Sequence, residues 1–419
     1  MRLPKGVFSP YTSINTNILF FDKGATTKDV WFFEHPYPDG YKSYSRSKPL
    51  TIQEFEREKE WWGGAERKGR KVSKYAWKVS AQEIAARNYN LDCKNPHEVE
   101  LNHGNPDELM QEYLNISQQM KDAQNALKQE LIQALQQTKG NKNTDATIAL
   151  LEKHFDIAFT ALDGIKKLRE LILSLAMQGK LVPQDPSEQP ASELLKEIEA
   201  EKKRLAKEGK IKQSKPLPKI KPDETPYDLP NGWEWVRIRN ICHDWGQKTP
   251  DKLFTYIDVG SIDNKRGVIS DDVQLVESID APSRARKIVR NGTVIYSTVR
   301  PYLLNIAIVD KDFPYEPIAS TAFAILHPFC EISNCFIYYY LRSPVLISYV
   351  ESTMKGVAYP AINDGDFFQA LFPLPPLAEQ RRIVAKIDQL MALCNNLEKQ
   401  IDAANSKQTS LLNAVMTKI

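Results

Sequence analysis

The spacing of apolar positions changes several times along this 419-residue chain, and each change marks an element. From Pro106 to residue 137 neither proline nor glycine follows the first position. Leu109, Tyr113, Ile116, Met120, Ala123, Leu127 and Leu131 recur there at steps of three and four. That spacing puts about one apolar side chain per turn on a single face and predicts one long amphipathic helix. The polar run TKGNKNTDA, with Gly140, reads as a linker. A second helix is expected over 146–178, where Leu151, Phe155, Ala158, Leu162, Ile165, Leu168, Ile172 and Leu175 form one stripe and Gly179 stands at the C-terminal cap. The most regular pattern comes last. Ile383, Ile387, Leu390, Cys394, Leu397, Ile401, Ala404, Gln408, Leu411 and Val415 alternate steps of four and three, with Gln408 the one polar interruption. A heptad seam of this kind calls for a partner helix. Two partners fit: helix 146–178 of the same chain, or its copy in a second chain.

Between these helices the period shortens. Residues 229–375 alternate short β-type runs with turns: TYIDVGSID, then NKRG as a hairpin turn, then GTVIYSTVR, NIAIVD and STAFAILHP, followed by a helix at CFIYYYLRSP. This is the pattern of a small α+β domain. The first hundred residues are mixed and aromatic-rich. Ile14, Ile18 and Phe20 alternate with Asn15, Asn17 and Leu19 before a turn at Asp22, which predicts a strand over 14–21. VWFF predicts another strand, with Pro36, Pro38 and Gly40 turning after it. Ser80 with Glu83 has the spacing of a capping box opening a short helix. The expected division is 1–101, a tail helix at 102–138, a linker at 139–145, a helix with its linker at 146–228, the β-rich domain at 229–375 and the heptad helix at 376–419.

Composition adds few constraints. Apolar residues make up 42% and charged residues 26%, as in folded chains. A net charge of +3 means that any nucleic-acid surface must come from local clustering. The five cysteines, Cys93, Cys242, Cys330, Cys335 and Cys394, form no CxxC pair and read as free thiols of a reducing cytoplasm. Arg2 to Pro10 is no signal-peptide core, and no run approaches the ~20 apolar residues of a membrane span. The six histidines are dispersed, so no metal site is expected. His35 reads as a turn residue, and the pairs Glu56/Glu58 and Asp271/Asp272 read as surface.

The candidate chemistry is cationic. In 229–375 the densest cluster is SRARKIVR, with Arg284, Arg286, Lys287 and Arg290. Lys265 and Arg266 occupy the NKRG turn. Arg300 precedes Pro301, which favours an extended backbone. It would share a strand face with Thr298 and Tyr296, with Tyr302 following. Lys355 and Gly356 lie before YPAIN, where backbone could approach phosphate. Cations position phosphates and planar side chains read base edges, so this patch suits DNA. A solvated charged surface is the plainer reading of each residue taken singly. The run EAEKKRLAKEGKIKQSK is diluted by glutamates and reads as a solvated helix face.

Several long motifs carry a family likeness. PLPPLAEQRRIVAKIDQLMALCNNLEKQI (373–401) resembles the hinge and spacer helix of type I restriction-modification specificity subunits. LRELILSLAMQGKLVPQDPSEQPASELLKEIEAEKKRL (168–205) resembles the segment before a target-recognition domain of that family. DLPNGWEWVRI, STVRPYL and GVAYPAIN resemble motifs within such a domain. By contrast, RLPKGVFSPYTSINTNILFFD, VWFFEHPYPDGYKSYSRSKPL and YAWKVSAQEIAARNYNLD, within 2–95, resemble the C-terminal part of the type I modification subunit, an adenine-N6 DNA methyltransferase. The chain contains neither the GxG nor the Asn-Pro-Pro motif through which that enzyme holds S-adenosylmethionine and its target adenine, so no catalytic or cofactor residue is carried over.

The resemblance implies a non-catalytic DNA-recognition component: one target-recognition domain reading half of a bipartite site, flanked by helices forming a coiled coil. Ile383, Ile387, Leu390, Leu397 and Ile401 form the helix interface. The implied partners are double-stranded DNA, the modification subunit, the restriction subunit and a second copy bound through the spacer helices. No cofactor or metal is implied. Three other readings stand beside this one: the first two are half of a split methyltransferase completed by another chain, and an assembly module without DNA readout. A remnant or fused gene is the third.

Overall fold

The structure is a computed structural model and describes residues 1–8, 15–21, 23–24, 26–38, 41, 43–45, 48–64, 67–97, 105–137, 142–211, 217–356 and 359–418. Several sequence expectations fall outside these residues: Ile14 and Asp22 of the first strand, Gly40, residues 98–101 of the first boundary, Gly140 in the linker, 213–216 of the proline-lysine stretch, and Val357 and Ala358 of GVAYPAIN. The chain divides into two units, Met1–Gly104 with Ala414–Ile419, and Asn105–Asn413.

In the first unit, strand β1 (Arg2–Leu3) pairs antiparallel with β2 (Thr16–Asn17). β2 stops at Asn17, so the strand expected to run to residue 21 is shorter, and Leu19, Phe20 and Phe21 are exposed. Strand β3 (Asp29–Phe33) precedes helix α1 (Glu56–Trp62) and pairs antiparallel with β4 (Ala76–Ser80). Helix α2 (Ala81–Ala86) follows, and Ser80 caps it by accepting from the Glu83 N–H at 3.1 Å. Trp77, Val79, Ile84 and Cys93 form a small core with Val30 and Phe32. Two expectations fail here. His35 is buried rather than a turn residue, and Glu58 is buried with it: His35 Nδ1 lies 2.6 Å from Glu58 Oε1, and Nε2 lies 3.2 Å from the Tyr44 hydroxyl. A buried carboxylate keeps its place when a ring nitrogen answers it.

The second unit opens with the expected long helix, α3 (Pro106–Gln137). The stretch read as one helix over 146–178 is instead two, α4 (Lys142–Ala158) and α5 (Gly164–Met177). Asp163 at the break has φ +63°, and a Cβ on Gly164 would lie 2.5 Å from the Phe159 carbonyl oxygen. Only glycine permits that close turn. Leu162, assigned to the buried stripe, is 96% exposed, because the break rotates it away. α5 ends at Gly179 as expected: Gly179 N–H donates to Ala176 O and Lys180 N–H to Leu175 O, the paired bonds of a Schellman cap. Helix α6 (Ala191–Lys207) follows.

Next come β5 (Glu234–Arg237), α7 (Ile238–Ile241), β6 (Cys242–His243), β7 (Phe254–Ile257), β8 (Ile262–Asp263), β9 (Val268–Ile269), β10 (Gln274–Val276), β11 (Ala285–Ile288), β12 (Val294–Ser297), β13 (Ile306–Ile308), β14 (Pro317–Ser320) and β15 (Phe323–Pro328). Helices α8 (Asn334–Leu341), α9 (Pro344–Thr353) and α10 (Asp364–Phe367), strand β16 (Leu371–Leu374) and helix α11 (Leu377–Lys418) complete the order. Two four-stranded sheets, in orders β10-β7-β14-β11 and β13-β12-β15-β6, enclose a core containing Ile257, Ile295, Ala307, Ala319, Phe323 and Ile325. Strand alternation sends Val294, Tyr296, Ala324 and Leu326 the other way, into an apolar core continuous with the helices. Both faces of β12 are therefore covered. β8 and β9 form the hairpin expected at NKRG.

α11 runs antiparallel to α3 and also contacts α5. Lys386 meets Glu130 at 2.6 Å and Lys407 meets Glu112, while Arg169 reaches Asn395 and Glu398 at 2.7 Å. Ile383, Ile387, Leu390, Cys394 and Leu397 are fully buried, and Ile401 half-buried, against helices of the same chain. From Ile383 to Leu397 the seam is thus satisfied within the chain, and the expected homodimer finds no open apolar face along that part of it. Towards the C-terminus Gln408 and Val415 of the heptad are exposed.

Candidate nucleic-acid interface

Three loops of the second unit are tied together at the surface. The β8–β9 turn donates from Asn264 Nδ2 to the Leu303 carbonyl at 3.0 Å. The Arg300 N–H donates to the Pro360 carbonyl at 2.8 Å, and Lys355 and Ala361 exchange backbone hydrogen bonds at 2.8 and 2.9 Å. The turns at 264–267 and 300–304 and the described residues 355–356 and 359–361 therefore form one platform. It carries Lys265, Arg266, Arg300 and Lys355, all exposed. Among the described residues none of these four forms an ion pair with a carboxylate. Gly267 is required in the turn: its φ is +69°, and a Cβ would lie 1.8 Å from the Tyr338 hydroxyl oxygen.

The backbone at Arg300 departs from the extended form expected before proline. It is left-handed (φ 48°, ψ 55°), as is Leu304 (φ 52°), and the two bracket a 3-10 turn over Pro301–Leu303. Such backbone costs about 1–3 kcal/mol per residue. It is held by the Pro360 hydrogen bond and turns Tyr302 and Leu303 outward, 49% and 40% exposed. Arg300 does not share a polar strand face with Thr298 and Tyr296. Both are buried; Thr298 Oγ1 donates to Ala322 O at 2.9 Å, and Tyr296 stacks on Phe367 at 4.6 Å.

The SRARKIVR cluster does not act as one patch. Arg284 is exposed. Arg286 folds back, its Nη1 donating to Ala285 O at 2.7 Å. Lys287 is buried and spent on the fold: its Nζ donates to Phe323 O at 2.6 Å and pairs with Asp364 at 2.7 Å, so it leaves the candidate surface. Alternation along β11 turns it inward. Arg290 is exposed and lies 4.0 Å from the Trp245 ring centre. Beneath it His243 and His327 face each other at 5.2 Å. Burial, His243 and Arg290 together push the His327 imidazole down to about 4, and burial lowers His243 as well. His327 Nδ1 lies 3.0 Å from Thr293 Oγ1.

Two residues here were not singled out from sequence. Tyr359, 71% exposed, lies beneath Arg300, with the guanidinium carbon 5.3 Å from the ring centre. Its place before Pro360, in a loop already marked by Lys355, was the available signal. Trp245 stands in a polar stretch, HDWGQK, and its pairing with Arg290 has no local sequence signature. Elsewhere, Cys330 Sγ and N–H both donate to Glu201 Oε2; burial and this carboxylate push the thiol up to about 12. The described cysteines are free. Among the described residues no group of three or more metal-ligating side chains converges, and no helix is long and apolar enough to cross a membrane.

Residues 230–404 match the type I restriction modification DNA specificity domain, and residues 1–103 match the N-6 DNA methylase family. The type I restriction enzyme EcoAI specificity subunit of Escherichia coli is 34% identical over 304 residues, which are 70% of this chain and 51% of that one. The type I restriction enzyme EcoEI methylase subunit of Escherichia coli is 49% identical over 142 residues, 33% of this chain and 29% of that one. Among solved structures, the HsdS subunit from Thermoanaerobacter tengcongensis is 39% identical with a TM-score of 0.40, over 45% of this chain and 49% of that one. The chain spans about half the length of the EcoAI specificity subunit. Residues 230–404 therefore resemble the type I restriction modification DNA specificity domain, and they share one chain with a segment, residues 1–103, that resembles the N-6 DNA methylase family.

Proposed function

We propose that this chain is a non-catalytic, sequence-specific DNA-recognition component of a type I restriction-modification system. The domain over 229–375 reads one half of a bipartite site, and the helices dock on a methyltransferase subunit. The observation that carries the reading is the three-loop platform, where, among the described residues, Lys265, Arg266, Arg300 and Lys355 form no ion pair with a carboxylate and stand beside exposed Tyr302 and Tyr359. Unpaired cations neutralise phosphates, and planar side chains beside them address base edges. Arg284 and Arg290 would extend the phosphate contacts. α11, 42 residues long, spans about 63 Å at 1.5 Å per residue, more than one turn of duplex. The test is selection from a random duplex pool with the full chain, followed by competition against a scrambled duplex at two salt concentrations. A recovered consensus supports the reading. No consensus, with equal affinity for all duplexes, leaves an assembly module in its place.

A further inference from the structure

We infer that Tyr359 orients the Arg300 guanidinium to read a guanine edge, which makes this pair the sequence-determining contact of the platform. The inference rests on the DNA-reading proposal and goes one step further, to the residue that positions the reader and the base that is read.

The ring limits where the guanidinium can sit. With its carbon 5.3 Å from the Tyr359 ring centre, the Arg300 guanidinium lies over the ring within cation–π range. Its N–H donors lie along the edge of the plane and stay free for a planar partner. Among the described residues no carboxylate pairs with it. The backbone beneath is fixed on both sides, by the N–H bond to Pro360 and by the left-handed conformation at Arg300. Tyr359 precedes the very proline that accepts this bond, so ring and guanidinium are carried by segments locked to one another. A flat fork held on a fixed ring matches the paired O6 and N7 acceptors that guanine presents in the major groove. Lysine ammoniums at 265 and 355 lack that fork and serve as point charges. Tyr302 and Leu303, turned outward beside the pair, supply apolar contact. Arg290 also lies over a ring, that of Trp245, but it stands apart from the four platform cations, over the His243–His327 pair. It is the natural control.

The experiment uses the full chain and the duplex consensus selected from a random pool. Affinity is measured for that duplex, for a scrambled one, and for versions with 7-deazaguanine at each guanine in turn. Arg300→Ala should lower the cognate-to-scrambled ratio about five- to 150-fold. Tyr359→Ala should lower it about two- to fivefold while leaving the salt dependence unchanged, because no charge is lost. Tyr359→Phe keeps the ring and should keep the ratio. Wild type should lose affinity on 7-deaza substitution at one guanine, and Arg300→Ala should be indifferent to that substitution. Arg290→Ala should weaken both duplexes equally. If wild type selects no consensus, the DNA-reading proposal itself falls. If wild type discriminates but Tyr359→Ala keeps the full ratio, or no guanine responds to 7-deaza substitution, the inference alone is overturned.

Discussion

Lys287 and Asp364, 77 residues apart in sequence, meet in an ion pair of 2.7 Å, and the same ammonium donates to the Phe323 carbonyl at 2.6 Å. The most central lysine of the SRARKIVR cluster thus ties β11 to β15 and to α10 instead of facing solvent. Lys287→Met should cost about 1–3 kcal/mol of stability through the lost charged hydrogen bonds. The slope of log K for DNA against log salt should stay as in wild type. Denaturant unfolding and salt titration together check the two halves of that expectation.

The exposed cations should behave in the opposite way. Lys265→Ala, Arg266→Ala and Lys355→Ala should leave the melting temperature in place. Each should shallow the salt slope by about 0.9, the value of one released counterion per phosphate contact. A variant whose slope does not change has no phosphate under it.

The heptad seam makes a prediction about assembly. Since Ile387, Leu390 and Leu397 are buried against helices of the same chain, light scattering should give a monomer at tens of micromolar. Leu390→Ala should cost about 2–5 kcal/mol of stability, as core truncations do. A seam holding two copies together would instead make the melting temperature depend on protein concentration.

Acid should loosen the second unit through its paired imidazoles. His327 is held at about 4, below the ~6.5 of an unfolded histidine, by burial, by His243 and by Arg290. Between those values the unfolded chain binds more protons than the folded one, so stability rises with pH. The contribution is fully present above about 6.5 and is lost as pH falls towards 4. His327→Gln should therefore flatten the fall in melting temperature across this window. A curve as steep as wild type would assign the acid sensitivity to other groups.

Much of the fold was legible because periodicity survives packing. The four-three spacing of α11 and α3 and the short runs of β12, β13 and β15 each reported a burial pattern that the chain then adopts. What stayed hidden was set by neighbours distant in sequence. Leu162 fits the stripe of a continuous helix, yet the turn at Asp163 and Gly164 breaks it. Lys287 looks like its neighbouring arginines until β11 is seen to turn it inward. Arg300 was expected to be extended because proline follows it, and the Pro360 carbonyl holds it otherwise. The platform combines turns about 35 and 55 residues apart, whose meeting depends on hydrogen bonds such as Asn264 to Leu303. No local pattern reports such a meeting.

The pairing of β5 with β16 has a consequence for inheritance. Trp235 lies opposite Pro373 and Arg237 opposite Leu371, so the chain leaves for the three-loop platform and returns from it at neighbouring strands. Backbones in such a pair stand about 5 Å apart. Everything between Ile238 and Ala370 is thereby a cassette with adjacent ends. A gene exchange that replaced its loops with segments of different length and chemistry, while keeping the α8, α9 and β12 positions that pack on the helices, would leave α3, α5 and α11 where they are. On the proposed reading, a new specificity needs exchange only between two short stretches of sequence, with the face that packs on the helices retained.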